Sequence, residues 1–185
     1  MNPALPPGTD HCVMIAAPHT SNWDAIFLIA SFDMMKIPMK FTLKKEWVRW
    51  PFKSMMLSVG AIGIDRSPKK PGEARPNMTD VLADIITSRD SIALVVTPEG
   101  TRSLRTTWKT GFYYVAMKAK VPIALGYMDY AKKVTGVGKM IYPSGDMKKD
   151  LKEIMEFYKD ISPKHAEKYS VDIDYLEGRG REERQ

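Results

Sequence analysis

Two short stretches hold residues whose types and spacing suit acid–base chemistry. The first is His19-Thr-Ser-Asn-Trp-Asp24. A carboxylate that holds one imidazole nitrogen fixes the tautomer and stabilises the charged ring, so the other nitrogen can take a proton from an alcohol near neutral pH. In a continuous helix a five-residue step turns about 500°, which leaves the two side chains about 140° apart. His19 and Asp24 can therefore meet only if His19 precedes a helix, Asp24 lies in its first turn and the chain bends between them. Pro18 before the pair, and the capping residues Ser21 and Asn22 inside it, supply that bend. A plainer alternative stands beside this one. Asp24 can simply close a capping box with Ser21, worth about 1 kcal/mol, while His19 serves only its loop.

The second stretch is Thr97-Pro98-Glu99-Gly100-Thr101-Arg102-Ser103. Gly100 permits a tight turn, Thr101 and Ser103 offer hydroxyls, and Arg102 offers a guanidinium fork that suits phosphate. Glu99 is placed to order that guanidinium. The alternative is an ordinary turn with a surface Glu–Arg pair worth less than about 1 kcal/mol. The stretch is not a P-loop, since G-x4-G-K-[ST] is missing. No G-x-S-x-G elbow marks a serine hydrolase.

The elements that must position these residues alternate. Residues 12–17 read as a buried strand, and a helix should start at Ser21 and run through AIFLIASFDMM. Further strands are expected at 39–43, 61–65, 91–97 and 121–127, with one more inside 130–145. Further helices are expected at 44–57 (broken or restarted at Pro51), 77–89, 108–119 and, amphipathic, 146–159. A Pro-rich basic loop fills 67–76, and 178–185 reads as a frayed polar tail. Strand–loop–helix alternation predicts an α/β fold, one domain over residues 1–185 with a central, largely parallel sheet flanked by helices. In such sheets ligands gather where strand ends meet helix starts. Both chemical stretches fall there.

Composition narrows the partners. The 185 residues are 44% hydrophobic and 27% charged, enough for one continuous core. A single cysteine rules out an intrachain disulfide, and with three histidines it forms no zinc-type spacing. Neither a metal nor a tightly bound cofactor is expected. No run of about 18 apolar residues is present, and the first residues lack a signal-peptide pattern, so lipid is expected to be met from the surface. The net charge of +6 favours phosphate- or carboxylate-bearing partners such as an anionic membrane, coenzyme A or an acidic carrier protein. Nucleic acid is disfavoured because the basic loop 67–76 carries no aromatic stacking residues.

Residues 36–56 interleave lysines and Arg49 with Phe41, Trp47, Trp50, Phe52, Met55 and Met56, which suits either a docking surface on an anionic bilayer or an amphipathic core helix. Met34, Met35, Met55 and Met56 suit an adaptable acyl groove or plain core filling. Cys12, in an apolar strand, reads as a buried inert thiol. His11 and His165 have no motif around them.

Four blocks resemble the glycerophospholipid acyltransferase family, typified by lysophosphatidic acid acyltransferase. His19-Thr-Ser-Asn-Trp-Asp24 is similar to its H-x4-D block, Gly60-Ala-Ile-Gly-Ile-Asp65-Arg66 to its second, Pro98-Glu-Gly-Thr-Arg102-Ser to its third and Val121-Pro122-Ile123 to its fourth. Lys44-Lys45-Glu46 through Trp50-Pro51 resembles the linker between the first two. The likeness spans about residues 12–128.

The resemblance implies a direct O-acyl transfer with His19 and Asp24 catalytic. Arg66 and Arg102 would hold the acceptor phosphate, in a pocket shaped by Glu99, Gly100 and Thr101. The acceptor would be a lysophospholipid such as 1-acylglycerol-3-phosphate, and the donor acyl-CoA or acyl carrier protein. The protein would be cytoplasmic and peripheral on the membrane. The alternatives are a different lipid or small alcohol acceptor, or a non-catalytic lipid- or carrier-binding module. Departures from the pattern are Thr97 where a phenylalanine is usual, Pro18 before His19, and no N-terminal membrane helices in this sequence.

Overall fold

The computed structural model describes residues 5–47, 50, 51, 53–65 and 76–180. Six strands form one sheet in the order β3-β2-β4-β1-β5-β6. They are β1 (His11–Ala17), β2 (Met39–Lys44), β3 (Ala61–Ile64), β4 (Ile92–Val96), β5 (Ile123–Asp129) and β6 (Val134–Ile141). The first five are mutually parallel, and β6 closes the edge antiparallel to β5. The helices are α1 (Asn22–Met34), α2 (Lys53–Ser58), α3 (Met78–Thr87), α4 (Gly111–Ala119), α5 (Met147–Tyr158) and α6 (Ile173–Leu176).

The central strands β1 and β4, apolar at almost every position, are covered on both faces, as parallel strands with helical crossovers must be. Alternate residues of β1 serve opposite faces. Val13, Ile15 and Ala17 pack with α4, α5 and Tyr175 of α6 in the larger cluster. Cys12, Met14 and Ala16 pack with Phe32 of α1 in the smaller one. Gly126 of β5 makes a close approach possible. A Cβ there would stand 2.8 Å from the Ile15 carbonyl oxygen and 3.3 Å from the Phe32 ring.

The α/β class and the parallel sheet agree with the sequence reading, and the differences have local causes. The helix expected over 108–119 begins only at Gly111. The Trp108 N–H is given to Asp172 Oδ2 at 2.8 Å and the Lys109 N–H to the Pro98 carbonyl at 2.9 Å, so neither joins a helical ladder. The helix expected over 44–57 is a 3-10 turn at Lys45–Trp47 followed by α2, beyond Pro51. The strand expected from residue 121 starts at Ile123 and runs on to Asp129. Residues 160–177, unassigned from sequence, hold a 3-10 turn at Ala166–Lys168 and the short α6, which packs on α5. The tail folds back as far as Gly180, where backbone N–H groups of 179 and 180 reach the Asp174 carbonyl. Residues 181–185, and the loop 67–76 except Pro76, lie outside the described residues.

Candidate active site

Neighbouring strands β1 and β4 send their chains to opposite faces of the sheet, β1 into α1 and β4 into α4. Where that happens the two following loops part and leave a crevice at the carboxyl edge of the sheet, the place where open α/β folds bind ligands. His19 comes from the loop after β1, and Glu99 to Arg102 from the loop after β4.

Ser21 is the N-cap of α1, in extended conformation, and a full capping box is present with Asp24 as its acidic partner. Asp24 Oδ2 accepts the Thr20 N–H at 2.7 Å and the Ser21 N–H at 2.8 Å. The same oxygen stands 3.7 Å from His19 Nδ1, an ion-pair separation longer than a hydrogen bond. The other oxygen, Oδ1, accepts the Tyr130 hydroxyl at 2.6 Å. Cap and brace are thus one carboxylate, buried to 6% exposure. Because Nδ1 faces Asp24, Nε2 is the nitrogen left for a substrate.

Glu99 lies beneath His19, 7% exposed, and both of its oxygens accept the His19 N–H, at 2.9 and 3.2 Å. Among the described residues no ion pair joins it to Arg102, whose side chain is exposed. The turn that carries Glu99 inward depends on Gly100. Its φ is +68°, and a Cβ there would lie 2.8 Å from Lys109 Nζ, so the lysine stem crosses the bare glycine. Thr101 Oγ1 accepts the Ser103 N–H at 3.3 Å and rounds off the loop.

Burial lowers the His19 pKa below its ordinary 6.5; Asp24 opposes this and Arg102 adds to it. The ring is therefore neutral at pH 7 and able to accept a proton. Burial raises Glu99 to about 7, against the stabilising His19 N–H, with Asp24 raising it further. Burial and nearby Asp10 push the Cys12 thiol to about 12; its Sγ donates to the Thr9 carbonyl. Cys12 is inert, as its strand position implied.

His19 and Asp24 open onto a cavity of about 550 Å³. Its walls are mainly apolar, with Leu28 and Ile29 of α1, Met39 and Phe41 of β2, Leu82 of α3 and Phe112 of α4 among them. Lys109 supplies a cation at the lining. None of the four methionines considered for an acyl groove lines this space; Met39 and Met128 do. Met34 and Met55 instead face solvent, so core filling does not describe them either.

Of the residues singled out by sequence, the fold brings His19, Asp24, Glu99, Gly100, Thr101 and Arg102 to one edge of the sheet. Arg66 lies outside the described residues. Two contributors went unread. Tyr130, just past β5, fell in the segment 130–145 read only as holding one more strand, and Lys109 fell in the helix expected over 108–119. A third lies far along the chain. The His165 N–H donates to Thr20 Oγ1 at 3.3 Å, and Trp108 Nε1 donates to the Ser170 carbonyl at 3.0 Å. The segment before α6 thus ties down the loops that follow β1 and β4. Nothing in its spacing signals that contact.

A family model described as Acyltransferase matches residues 5–128, two-thirds of the chain and all of its chemical blocks. Comparison with curated proteins and with solved structures gave no match. With an imidazole–carboxylate pair set at the switch point of a parallel sheet, at the mouth of an apolar cavity, the chain belongs to the glycerophospholipid acyltransferase family.

Proposed function

We propose that this acyltransferase moves a fatty acyl group from a thioester, acyl-CoA or acyl carrier protein, to the hydroxyl of a lysophospholipid of the 1-acylglycerol-3-phosphate kind, in phospholipid synthesis on the cytoplasmic face of a membrane. The observation that carries this reading is the adjacency of His19 to a mainly apolar cavity of about 550 Å³ with Lys109 at its lining and Arg102 on the neighbouring loop. An acyl chain suits the cavity, and an acceptor phosphate suits the cations.

His19 Nε2 takes the hydroxyl proton as the oxygen attacks the thioester carbonyl. The C–O bond forms, the tetrahedral intermediate collapses, and the C–S bond breaks. The imidazolium then returns its proton to the leaving thiolate. Asp24 holds the ring and stabilises its charge through Nδ1, and Glu99 fixes the backbone at His19. No acyl-enzyme is needed, and inert Cys12 offers no nucleophile for one.

The test is a transfer assay of acyl-CoA and acyl-carrier donors against a panel of lysophospholipids and simple alcohols. Preference for the phosphate monoester acceptor is expected, with Arg102→Ala raising its KM about tenfold or more, as losing a charge-assisted bond to phosphate does. Equal rates on neutral acceptors would overturn the acceptor assignment. A KM effect confined to the donor would move Arg102 to the other substrate.

A further inference from the structure

Helix α1 does not have the composition of a surface helix. It holds no lysine or arginine, and of its thirteen residues only Asp24 and Phe32 are buried. Trp23, Ile26, Phe27, Ala30 and Met34 fall at i, i+3, i+4, i+7 and i+11, one stripe of a helix. That stripe points away from the sheet. Trp23 is 52% exposed, Ile26 54%, Phe27 45% and Met34 75%, and the Trp23 and Phe27 rings stack with centroids 5.9 Å apart. The opposite side of the same helix, through Ala25, Leu28 and Ile29, lines the His19 cavity.

The connections β1-α1-β2 and β2-α2-β3 step across the sheet in one direction, and right-handed crossovers put both helices on one face. Trp50, 90% exposed, precedes α2, and Met55 and Leu57 on α2 are exposed apolar residues as well. Cations rim these residues. Lys36 follows the end of α1, Lys53 opens α2, and Lys164 Nζ stands 5.5 Å over the Trp23 ring. All three are exposed, and Asp33 is the one exposed acid within α1. Among the described residues no helix is long and apolar enough to cross a membrane. An apolar stripe rimmed by lysines matches the chemistry of an interfacial helix lying on anionic lipid.

We infer that the outward stripe of α1, with α2 beside it, is the surface by which this protein lies on an anionic bilayer. Trp23, Ile26, Phe27 and Met34 enter the head-group region, and Lys36, Lys53 and Lys164 meet lipid phosphates. The seat deepens the lipid-acceptor reading above, because it brings the His19 cavity to the level where acyl chains begin. It also extends the docking surface expected over 36–56: Lys36, Trp50, Lys53 and Met55 of that range stay in it, most of β2 is half-buried in the sheet, and α1 is added.

The full chain is to be sedimented with phosphatidylglycerol–phosphatidylcholine vesicles and with phosphatidylcholine vesicles, at low and high salt. Binding to the anionic vesicles should weaken with salt, and Phe27→Glu or Met34→Glu should lower it about tenfold or more. Ile173→Glu, on α6 at the opposite face, should bind as the parent does. Melting curves verify folding, and Met34, the most exposed of the stripe, covers the case in which Phe27→Glu unfolds. Unchanged vesicle affinity in both stripe variants would overturn the inference. So would a dimer that these variants dissociate without affecting vesicle binding, which would assign the stripe to a second copy. Vesicle binding is scored without turnover. Docking without acyl transfer would therefore count against the proposed activity alone, and transfer to a soluble short-chain acceptor without docking against this surface alone.

Discussion

Helices α1 and α5 are nearly equal in length and cover opposite faces of the same sheet, yet they are built to different ends. In α5 the residues Leu151, Ile154, Met155 and Tyr158 face the core, while Lys148, Lys149, Lys152, Glu153 and Glu156 meet water or its edge. Tyr158 is fully buried, and its hydroxyl still finds the Gly126 carbonyl at 2.8 Å. That is the pattern of a helix that stabilises a soluble fold. Helix α1 carries more apolar residues than the fold consumes, and its two acids sit near its ends. Among the described residues that excess stays exposed, which is the ground for the docking surface proposed above. Both faces carry a core, the larger one under α4 and α5 and the smaller one under α1, but between α1 and α5 only α1 pairs a cavity-lining side with an outward apolar stripe.

The contrast breaks first, and with the largest effect, on stability. Ile154→Ala on α5 should cost about 2–5 kcal/mol in urea unfolding. Ile26→Ala on the outward stripe of α1 should stay within about 0.5 kcal/mol. Equal costs would mean that α1 is a packing helix after all.

A second difference is pH-dependent. Glu99 is raised from 4.5 to about 7 in the fold, so the folded state holds its proton more tightly than the unfolded chain does. Its contribution to stability is fully present below pH 4.5 and is lost as pH rises through 7. Glu99→Gln, which keeps an acceptor for the His19 N–H, should remove that fall when unfolding is followed from about pH 5 to about pH 8. A fall of the same size in the variant would assign it to other groups.

Tyr130→Phe deletes one hydroxyl from Asp24 and leaves the ring in place. The loss should appear in kcat, roughly three- to tenfold, with KM little changed, since a hydrogen bond to a charged group is weakened and no substrate contact is lost. A change in KM alone would place Tyr130 at the acceptor instead.

The smallest effect concerns the acid side of the rate profile. The base works only while neutral, so kcat/KM should fall as pH drops through a His19 pKa below 6.5. Arg102→Ala removes a cation that lowers that pKa, so the fall should move to higher pH. Movement to lower pH would contradict the electrostatics of the site.

Most of the sheet was legible in the sequence because buried parallel strands leave short apolar runs, and SIALVVT is the clearest of them. The His19–Asp24 pairing was legible as one of two readings, since Pro18, Ser21 and Asn22 supply the bend a five-residue gap needs, while spacing alone fits a plain helix cap equally well. Residues acting across long separations were not. Tyr130 reaches Asp24 from 106 positions away, and His165 reaches Thr20 from 145, and neither leaves a local pattern. The inward turn of Glu99 was also hidden, because a glutamate three positions before an arginine reads as a surface pair until the fold supplies a buried N–H. The outward stripe of α1 escaped for the opposite reason. The stretch AIFLIASFDMM reads only as apolar, and it takes the sheet to show which of its sides stays outward among the described residues.

The most direct measurement is acyl transfer from a thioester to 1-acylglycerol-3-phosphate by the parent chain and by His19→Ala, each shown to be folded by its melting curve. A loss of about hundredfold or more in kcat is expected when a general base is removed. Transfer at the full rate by His19→Ala would contradict the role given to His19, and with it the reading of the site as a base-catalysed acyltransferase.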